Sequence, residues 1–170
     1  MRLQIRLVLP ADARLLPSTR RAMGLHLEAL GVDPDCGDDI ILALAEACAN
    51  VVRHAFSGGP PGRFSVSADL TSDDVTIEVE DHGLGIAPET VRRAGEEVDP
   101  EATSGRGLFL IRQLMSSVEV EPVGGSGTRV RMRKKLRPAP ASPWPQEAGR
   151  PQSGLAGSRP PAGLFRDPMF

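Results

Sequence analysis

Four short segments of the sequence carry side chains whose types and spacing could do chemistry. In the first, Glu46, Asn50 and His54 recur every four residues in an apolar helical stretch and therefore share one face. An asparagine oxygen suits a hard cation such as Mg²⁺, which usually keeps several waters and binds a few protein oxygens plus substrate phosphates. Glu46 could then polarise a water or hydroxyl beside the ion. A solvated helix face explains the same spacing, and His54 is interpreted as a helix-end residue.

The second segment, EVEDHGLGI, ends an alternating strand with an acid and two glycines. Asp81 has the parity of the apolar residues before it, so we expect its carboxylate at the mouth of the core. There it could accept a hydrogen bond from an exocyclic amine such as that of adenine, while Gly83 and Gly85 let the backbone approach a ring. Asp and Gly are also common in turns, so an ordinary turn with His82 exposed remains the alternative.

The third and fourth segments place glycines at the starts of elements. SGRGLFLI puts Gly105, Arg106 and Gly107 at the beginning of a helix, where free N–H groups, the helix dipole and a guanidinium favour an anion such as phosphate. GGSGTRVRM begins a strand with Thr128, whose hydroxyl could reach a ligand or a water. An ordinary helix start and an ordinary hairpin turn are the alternatives.

Hydrophobic periodicity indicates which elements hold these segments. The pattern predicts the order β-α-α-β-β-loop-α-β-β, with strands at 2–9, 63–70, 74–81, 118–123 and 127–136 and helices at 11–30, 33–56 and from 105 onward. Strands in neighbouring pairs with helices gathered elsewhere are typical of an α+β two-layer sandwich rather than a doubly wound sheet.

Composition divides the chain into two parts. The last 33 residues hold 8 of the 16 prolines, which predicts a globular domain at 1–137 and a disordered tail at 138–170. The net charge of −2 disfavours nucleic acid as the main partner. Two cysteines and three histidines without ligand spacing disfavour a zinc site. Neither a signal peptide nor an 18-residue apolar run is found, so we expect a cytoplasmic protein that does not enter a membrane.

The last predicted strand is strongly basic, with Arg129, Arg131 and Arg133 at alternate positions. These charges could form a docking surface for an acidic protein. We favour a second interpretation, in which they lie on the outward face of an edge strand and keep it from pairing with other chains.

Taken in order, the four segments resemble the motifs of a known family. LALAEACANVVRHAF, DHGLGI, SGRGLFLIRQLM and GTRVRMRKK are similar to the N box, the two glycine boxes and the last strand of the GHKL ATPase superfamily. Within it, the chain resembles the anti-sigma-factor serine/threonine kinases over most of residues 1–137. The resemblance implies a Bergerat-type sandwich, with helices on one face of a mostly antiparallel sheet and a lid at about 86–104.

The resemblance also implies a role for each matched residue. Asn50 would hold Mg²⁺ and Glu46 would act as general base. Asp81 would bind the adenine amine of ATP with Thr128 nearby. The glycine boxes would line the nucleotide: Gly83 and Gly85 the base, and Gly105, Arg106 and Gly107 the phosphates.

The implied function is an ATP-dependent serine/threonine kinase that binds a sigma factor and phosphorylates a STAS-domain anti-anti-sigma protein. A second copy of the chain is a further candidate partner. Two alternatives remain: a nucleotide-gated module that sequesters a partner without kinase activity, and a histidine-kinase-type ATPase domain acting in trans. Ser116 replaces the aspartate that close relatives often carry after the Leu-Met pair, which leaves partner identity open.

Overall fold

The computed structural model describes residues 2–60, 62–86, 91, 106–124 and 126–140 of the 170-residue chain. The chain divides into two units, Met1–Pro140 and Ala141–Phe170. The fold described below belongs to the first unit. The second unit, which contains most of the predicted tail, lies outside the described residues.

The described part of the chain forms one five-stranded sheet and a layer of helices. The strands are β1 (Leu3–Pro10), β2 (Arg63–Leu70), β3 (Asp74–Asp81), β4 (Ser117–Val123) and β5 (Gly127–Lys135). Their order is β1-β2-β3-β5-β4, and each neighbouring pair is antiparallel. The helices are α1 (Leu16–Ala29), α2 (Pro34–Asn50) and α3 (Arg106–Leu114). The predicted α+β class is confirmed.

One face of the sheet is buried because apolar and polar residues alternate along its strands. The inward side chains of β2 and β3 are all buried: Phe64, Val66, Ala68, Leu70, Val75, Ile77, Val79 and Asp81. They pack with apolar side chains of the helices, among which Ile40, Leu44 and Ile111 are fully buried. The period-2 pattern therefore places Asp81, the last residue of β3, on the core side of the sheet.

The helix boundaries follow local capping chemistry. Asp33 caps α2 by accepting a hydrogen bond from the Cys36 N–H at 3.0 Å, and Pro34 occupies the first helical position, as the sequence predicts. The first helix begins later than the predicted residue 11, because Asp12 caps a short 3₁₀ turn, Ala13–Leu15, that precedes α1. The second also differs: its α-helical part ends at Asn50 and continues as a π-helical turn, Val51–Ala55.

The prediction that the basic strand is an edge strand is wrong. β5 lies between β3 and β4, so its backbone is paired on both sides. Its arginines form ion pairs with acids of both neighbours: Arg129 with Glu80 and Glu121, Arg131 with Glu78 and Glu119, and Arg133 with Asp74. The alternation of charge across three strands favours this register, because a one-residue slip would turn the arginines toward the core.

The residues after β5 stay against the domain for a short distance. The Asp33 N–H donates to the Arg137 carbonyl at 2.8 Å, and the Ala139 N–H donates to the Gly31 carbonyl at 2.7 Å. Pro138 forms an isolated bridge with Val32. The loop between α1 and α2 thus contacts residues on both sides of the boundary drawn after Arg137 from composition.

Two truncations should therefore behave differently. Ending the chain after Pro140 should leave the thermal midpoint unchanged, because the removed segment has the composition of a solvated chain. Ending it after Arg137 also removes the bond to Gly31, and a backbone hydrogen bond contributes about 0.5–1.5 kcal/mol. The midpoint of this shorter chain should fall by a few degrees in circular dichroism melts. A fall of that size already after Pro140 would show that the tail packs onto the domain.

Among the residues that the structure describes, none of the helices is long and apolar enough to cross a membrane.

Candidate active site

Glu46 and Asn50 meet the start of α3 at one point. Both side chains are half-buried on α2, one turn apart. A Cβ atom placed on Gly107 would lie 3.1 Å from Glu46 Oε2, 3.1 Å from Asn50 Oδ1 and 3.3 Å from Asn50 Nδ2. A side chain at Gly107 would therefore fill the space in front of these groups. The glycine leaves a small polar cradle between α2 and the N-terminus of α3.

The far end of α3 is held by a lysine of β5. Lys134 Nζ donates to the Leu114 carbonyl at the end of α3 and forms an ion pair of 2.8 Å with Asp39 of α2. Gly107 contacts the last turn of α2, whereas Leu114 lies near its first turns. The helix therefore runs back along α2 with its N-terminal N–H groups beside Glu46 and Asn50. A helix N-terminus favours negative charge, which suits this end for an anion.

Arg53 also reaches this cradle, and the sequence analysis missed it. Its Nη2 atom lies 3.4 Å from Glu46 Oε2. His54, which the spacing every four residues placed on the Glu46 face, is exposed. Seven residues are close to two full turns of a helix, so Arg53 faces Glu46, whereas a residue eight positions on lies further round the helix. The available signal was a cation seven residues, or about two turns, after the glutamate.

Asp81 is a buried carboxylate with backbone partners. The residue is only 4% exposed and lies at the end of β3, opposite Thr128 of β5. The Gly83 N–H donates to Oδ1 at 2.8 Å, and the Thr128 N–H is a second donor. Burial raises the pKa of Asp81 above its ordinary value, while these two hydrogen bonds act in the opposite direction. The geometry holds an oriented acceptor at the mouth of the core.

The glycines after Asp81 permit close approach of the chain's own backbone. A Cβ atom on Gly83 would lie 2.0 Å from the Ala55 carbonyl oxygen, which also accepts the Leu84 N–H at 2.8 Å. Gly85 has a φ of +78°, and a Cβ there would lie 2.6 Å from the Ser126 carbonyl oxygen. The Asp81 loop is thus fixed to the end of the π-helical turn that begins after Asn50.

The structure brings together most of the residues predicted from the sequence. Glu46, Asn50 and Gly107 form one group, and Asp81, Gly83 and Thr128 form a second, which the π-helical turn connects to the first. Arg106 is the exposed first residue of α3. Gly105 and nearly all of the predicted lid at 86–104 lie outside the described residues.

The donor set fits a cation that also binds phosphate. Within the described ranges, no group of three His, Cys, Asp or Glu side chains could hold a metal ion unaided. The cradle offers instead the amide oxygen of Asn50 beside an anion-favouring helix start, which matches the way Mg²⁺ binds a nucleotide with few protein ligands.

The buried carboxylate predicts a pH-dependent cost in stability. Because the folded pKa of Asp81 is raised above its ordinary value of 3.8, the folded protein binds the proton more tightly than the unfolded chain. Stability contributed by this group is therefore lost as the pH rises from about 3.8 through the raised value. Asp81→Asn does not titrate, so it should match the wild type in acid and exceed it in stability at neutral pH.

Urea unfolding of both proteins across this pH range measures the difference. Asp73→Asn, in the exposed turn before β3, is the matched control. An Asp81→Asn protein that loses stability relative to the wild type as the pH rises would contradict the assignment of burial as the dominant cause.

Comparison with known proteins identifies the family of the chain. The family model described as "Histidine kinase-like ATPase domain" matches residues 9–134. The chain is 32% identical over 139 residues to the serine-protein kinase RsbW of Halalkalibacterium halodurans, covering 78% of this chain and 83% of that protein. It is 29% identical over 123 residues to RsbW of Listeria innocua, covering 69% and 78%. The anti-sigma F factor of Clostridium acetobutylicum is 33% identical over 104 residues, covering 58% and 70%.

Solved structures show the same fold. The RsbU and RsbW domains of Rv1364c from Mycobacterium tuberculosis align with a TM-score of 0.59 at 21% identity, covering 81% of this chain and 34% of that one. The SiaB-SiaC complex from Pseudomonas aeruginosa aligns at 0.54 and 15% identity, covering 76% and 88%. The chain belongs to the histidine kinase-like ATPase family, in the group that contains the RsbW serine-protein kinases and the anti-sigma F factors.

Proposed function

We propose that the chain is an ATP-dependent serine/threonine protein kinase that acts as an anti-sigma factor in the cytoplasm. It binds a sigma factor and phosphorylates a STAS-domain anti-anti-sigma protein. The observation that carries the proposal is the convergence of Glu46 and Asn50 on Gly107 at the start of α3, within a family of ATPases. The names of the RsbW and anti-sigma F relatives support the choice of partners.

Asp81 binds the adenine in this proposal. Its buried carboxylate is already oriented by the N–H groups of Gly83 and Thr128, so it accepts a hydrogen bond from the adenine amine without reorganisation. The Thr128 residue is itself 8% exposed and lies directly opposite Asp81 in the sheet. Gly83 and Gly85 line the base.

The phosphates lie at the start of α3, against Gly105, Arg106 and Gly107. The N–H groups of the first turn and the helix dipole stabilise their negative charge. Asn50 would hold Mg²⁺, and the bound ion would neutralise charge on the transferring phosphoryl group.

Glu46 takes the proton of the attacking hydroxyl. Its carboxylate lies one turn before Asn50 and beside the start of α3, so a hydroxyl that approaches the phosphates there also approaches this base. A serine hydroxyl of the partner that enters the cradle donates its proton to Glu46 as its oxygen bonds to the terminal phosphorus of ATP, while the bond from that phosphorus to the bridging oxygen breaks and ADP leaves. The remaining rate enhancement comes from positioning and electrostatic stabilisation.

The experiment combines the purified chain, labelled ATP and a candidate STAS-domain partner, and identifies the modified residue by mass spectrometry. Label on a serine or threonine of the partner supports the proposal. Label on a histidine identifies a histidine-kinase-type domain acting in trans. A stable ATP-dependent complex without label identifies a sequestering module, and in either of these cases the serine/threonine kinase assignment falls.

A further inference from the structure

Arg53 forms an ion pair with the Glu46 carboxylate. Its Nη2 atom lies 3.4 Å from Glu46 Oε2. The same oxygen is the one that a Cβ on Gly107 would approach to 3.1 Å. Glu46 Oε2 therefore lies between a guanidinium and the N-terminus of a helix, two groups that both favour an anion.

The Glu46–Arg53 ion pair is weak enough for a competing anion to break it. The Arg53 side chain is 54% exposed and that of Glu46 is 27% exposed, so water screens their attraction. Arg53 stands on the π-helical turn and not on the regular part of α2, with a long side chain directed back along the helix. A multiply charged anion at the start of α3 can compete for this guanidinium, because arginine binds phosphate oxygens in a fixed fork geometry.

We propose that Arg53 is a positioning residue that links the presence of a terminal phosphate to the availability of Glu46. In the ligand-free site, Arg53 holds the Glu46 carboxylate in the place that an anion favours. When a nucleoside triphosphate binds, its terminal phosphate replaces the Glu46 carboxylate as the partner of the Arg53 guanidinium. The released carboxylate can then accept the proton of the substrate hydroxyl. A diphosphate lacks that group and leaves the pair closed. The inference rests on the proposed kinase function and adds a selectivity for triphosphate to it.

Nucleotide binding tests the selectivity without any turnover. Calorimetry with Mg²⁺ and either ADP or the non-hydrolysable triphosphate AMPPNP gives two affinities for each protein. Arg53→Met should weaken AMPPNP binding by at least about tenfold, because it removes a hydrogen bond between charged groups, and should leave ADP binding within about twofold. Arg53→Lys should recover part of the AMPPNP affinity. Arg21→Met, an exposed arginine on α1, is the matched control and should change neither affinity.

NMR of the Arg53 side chain tests the exchange of partners. Its Nε–H resonance should move when AMPPNP binds and stay in place when ADP binds. Glu46→Gln should shift this resonance in the ligand-free protein and change it much less in the AMPPNP complex. A merely structural arginine would show the same dependence on Glu46 with and without nucleotide.

The outcomes separate the two claims. If the wild type binds both nucleotides and Arg53→Met keeps the wild-type ratio of affinities, the role of Arg53 is overturned while the kinase proposal stands. An Arg53 resonance that moves equally with ADP and AMPPNP also overturns it. If the wild type binds neither nucleotide, the proposed function falls and the inference falls with it.

Discussion

Glu46→Gln should reduce phosphoryl transfer to the STAS-domain partner by about 10²- to 10⁴-fold, the usual contribution of a positioned general base. Glutamine keeps the size of the side chain and can still hydrogen-bond, so the cradle around Gly107 should survive. It lacks a carboxylate oxygen that can take the proton of the serine hydroxyl. ATP should therefore still bind at least as well as to the wild type, while the transfer step fails.

Single-turnover transfer at saturating ATP measures this effect apart from binding. Glu28→Gln, an exposed glutamate on α1, is the control and should transfer at the wild-type rate. Asn50→Ala should instead impair Mg-ATP binding and transfer together, because Asn50 is assigned to the ion. A Glu46→Gln protein that labels serine at the wild-type rate would leave the kinase standing and remove Glu46 as its base.

The fold was predictable from the sequence because its strands alternate cleanly. In β2 and β3, every second residue is buried and the residues between them are more exposed, as the alternation of apolar and polar residues in the sequence indicates. The same parity predicted that Asp81 lies inward, and the structure places it there at 4% exposure. The start of α2 was also predictable, because the Asp33 cap that sets this boundary depends on neighbouring residues alone.

Features that depend on distant contacts were not predictable in this way. The position of β5 between β3 and β4 arises from the return of the last hairpin into the sheet, and the alternating arginines look the same on an edge strand as on an internal one. Their partners on β3 lie about fifty residues earlier in the chain. A charge pattern within one strand contains no information about that pairing.

The sequence predicted which residues lie at the candidate site better than it predicted how they are arranged. The spacing of Glu46 and Asn50 implied a shared face, but it extended that face to His54. The contact is made instead by Arg53, seven residues or about two helical turns after Glu46. The π-helical turn Val51–Ala55 then leads the chain out of α2. The turn ends where the Ala55 carbonyl accepts the Leu84 N–H, a contact between segments almost thirty residues apart. Helical periodicity alone assumes a regular helix and cannot anticipate such a contact.

Asp81→Asn should weaken ATP binding by at least about tenfold, although the variant should be the more stable protein at neutral pH. Its amide oxygen can still accept the Gly83 N–H, so the loop geometry should persist. The other half of the amide is an N–H₂ donor, which would face the donor amine of adenine and leave it without an acceptor. Losing a hydrogen bond to a charged group costs about 1.5–3 kcal/mol, which corresponds to roughly 10- to 150-fold in affinity.

Calorimetric titration with Mg-ATP measures the affinity, and Asp74→Asn on the same strand is the control that should bind like the wild type. Because burial raises the pKa of Asp81, its charge destabilises the folded protein in the absence of ligand. A carboxylate retained at that cost is expected where binding needs an acceptor rather than where folding needs a core residue. Equal ATP affinity in a folded Asp81→Asn protein would remove the adenine assignment and leave the buried charge without a function in nucleotide binding.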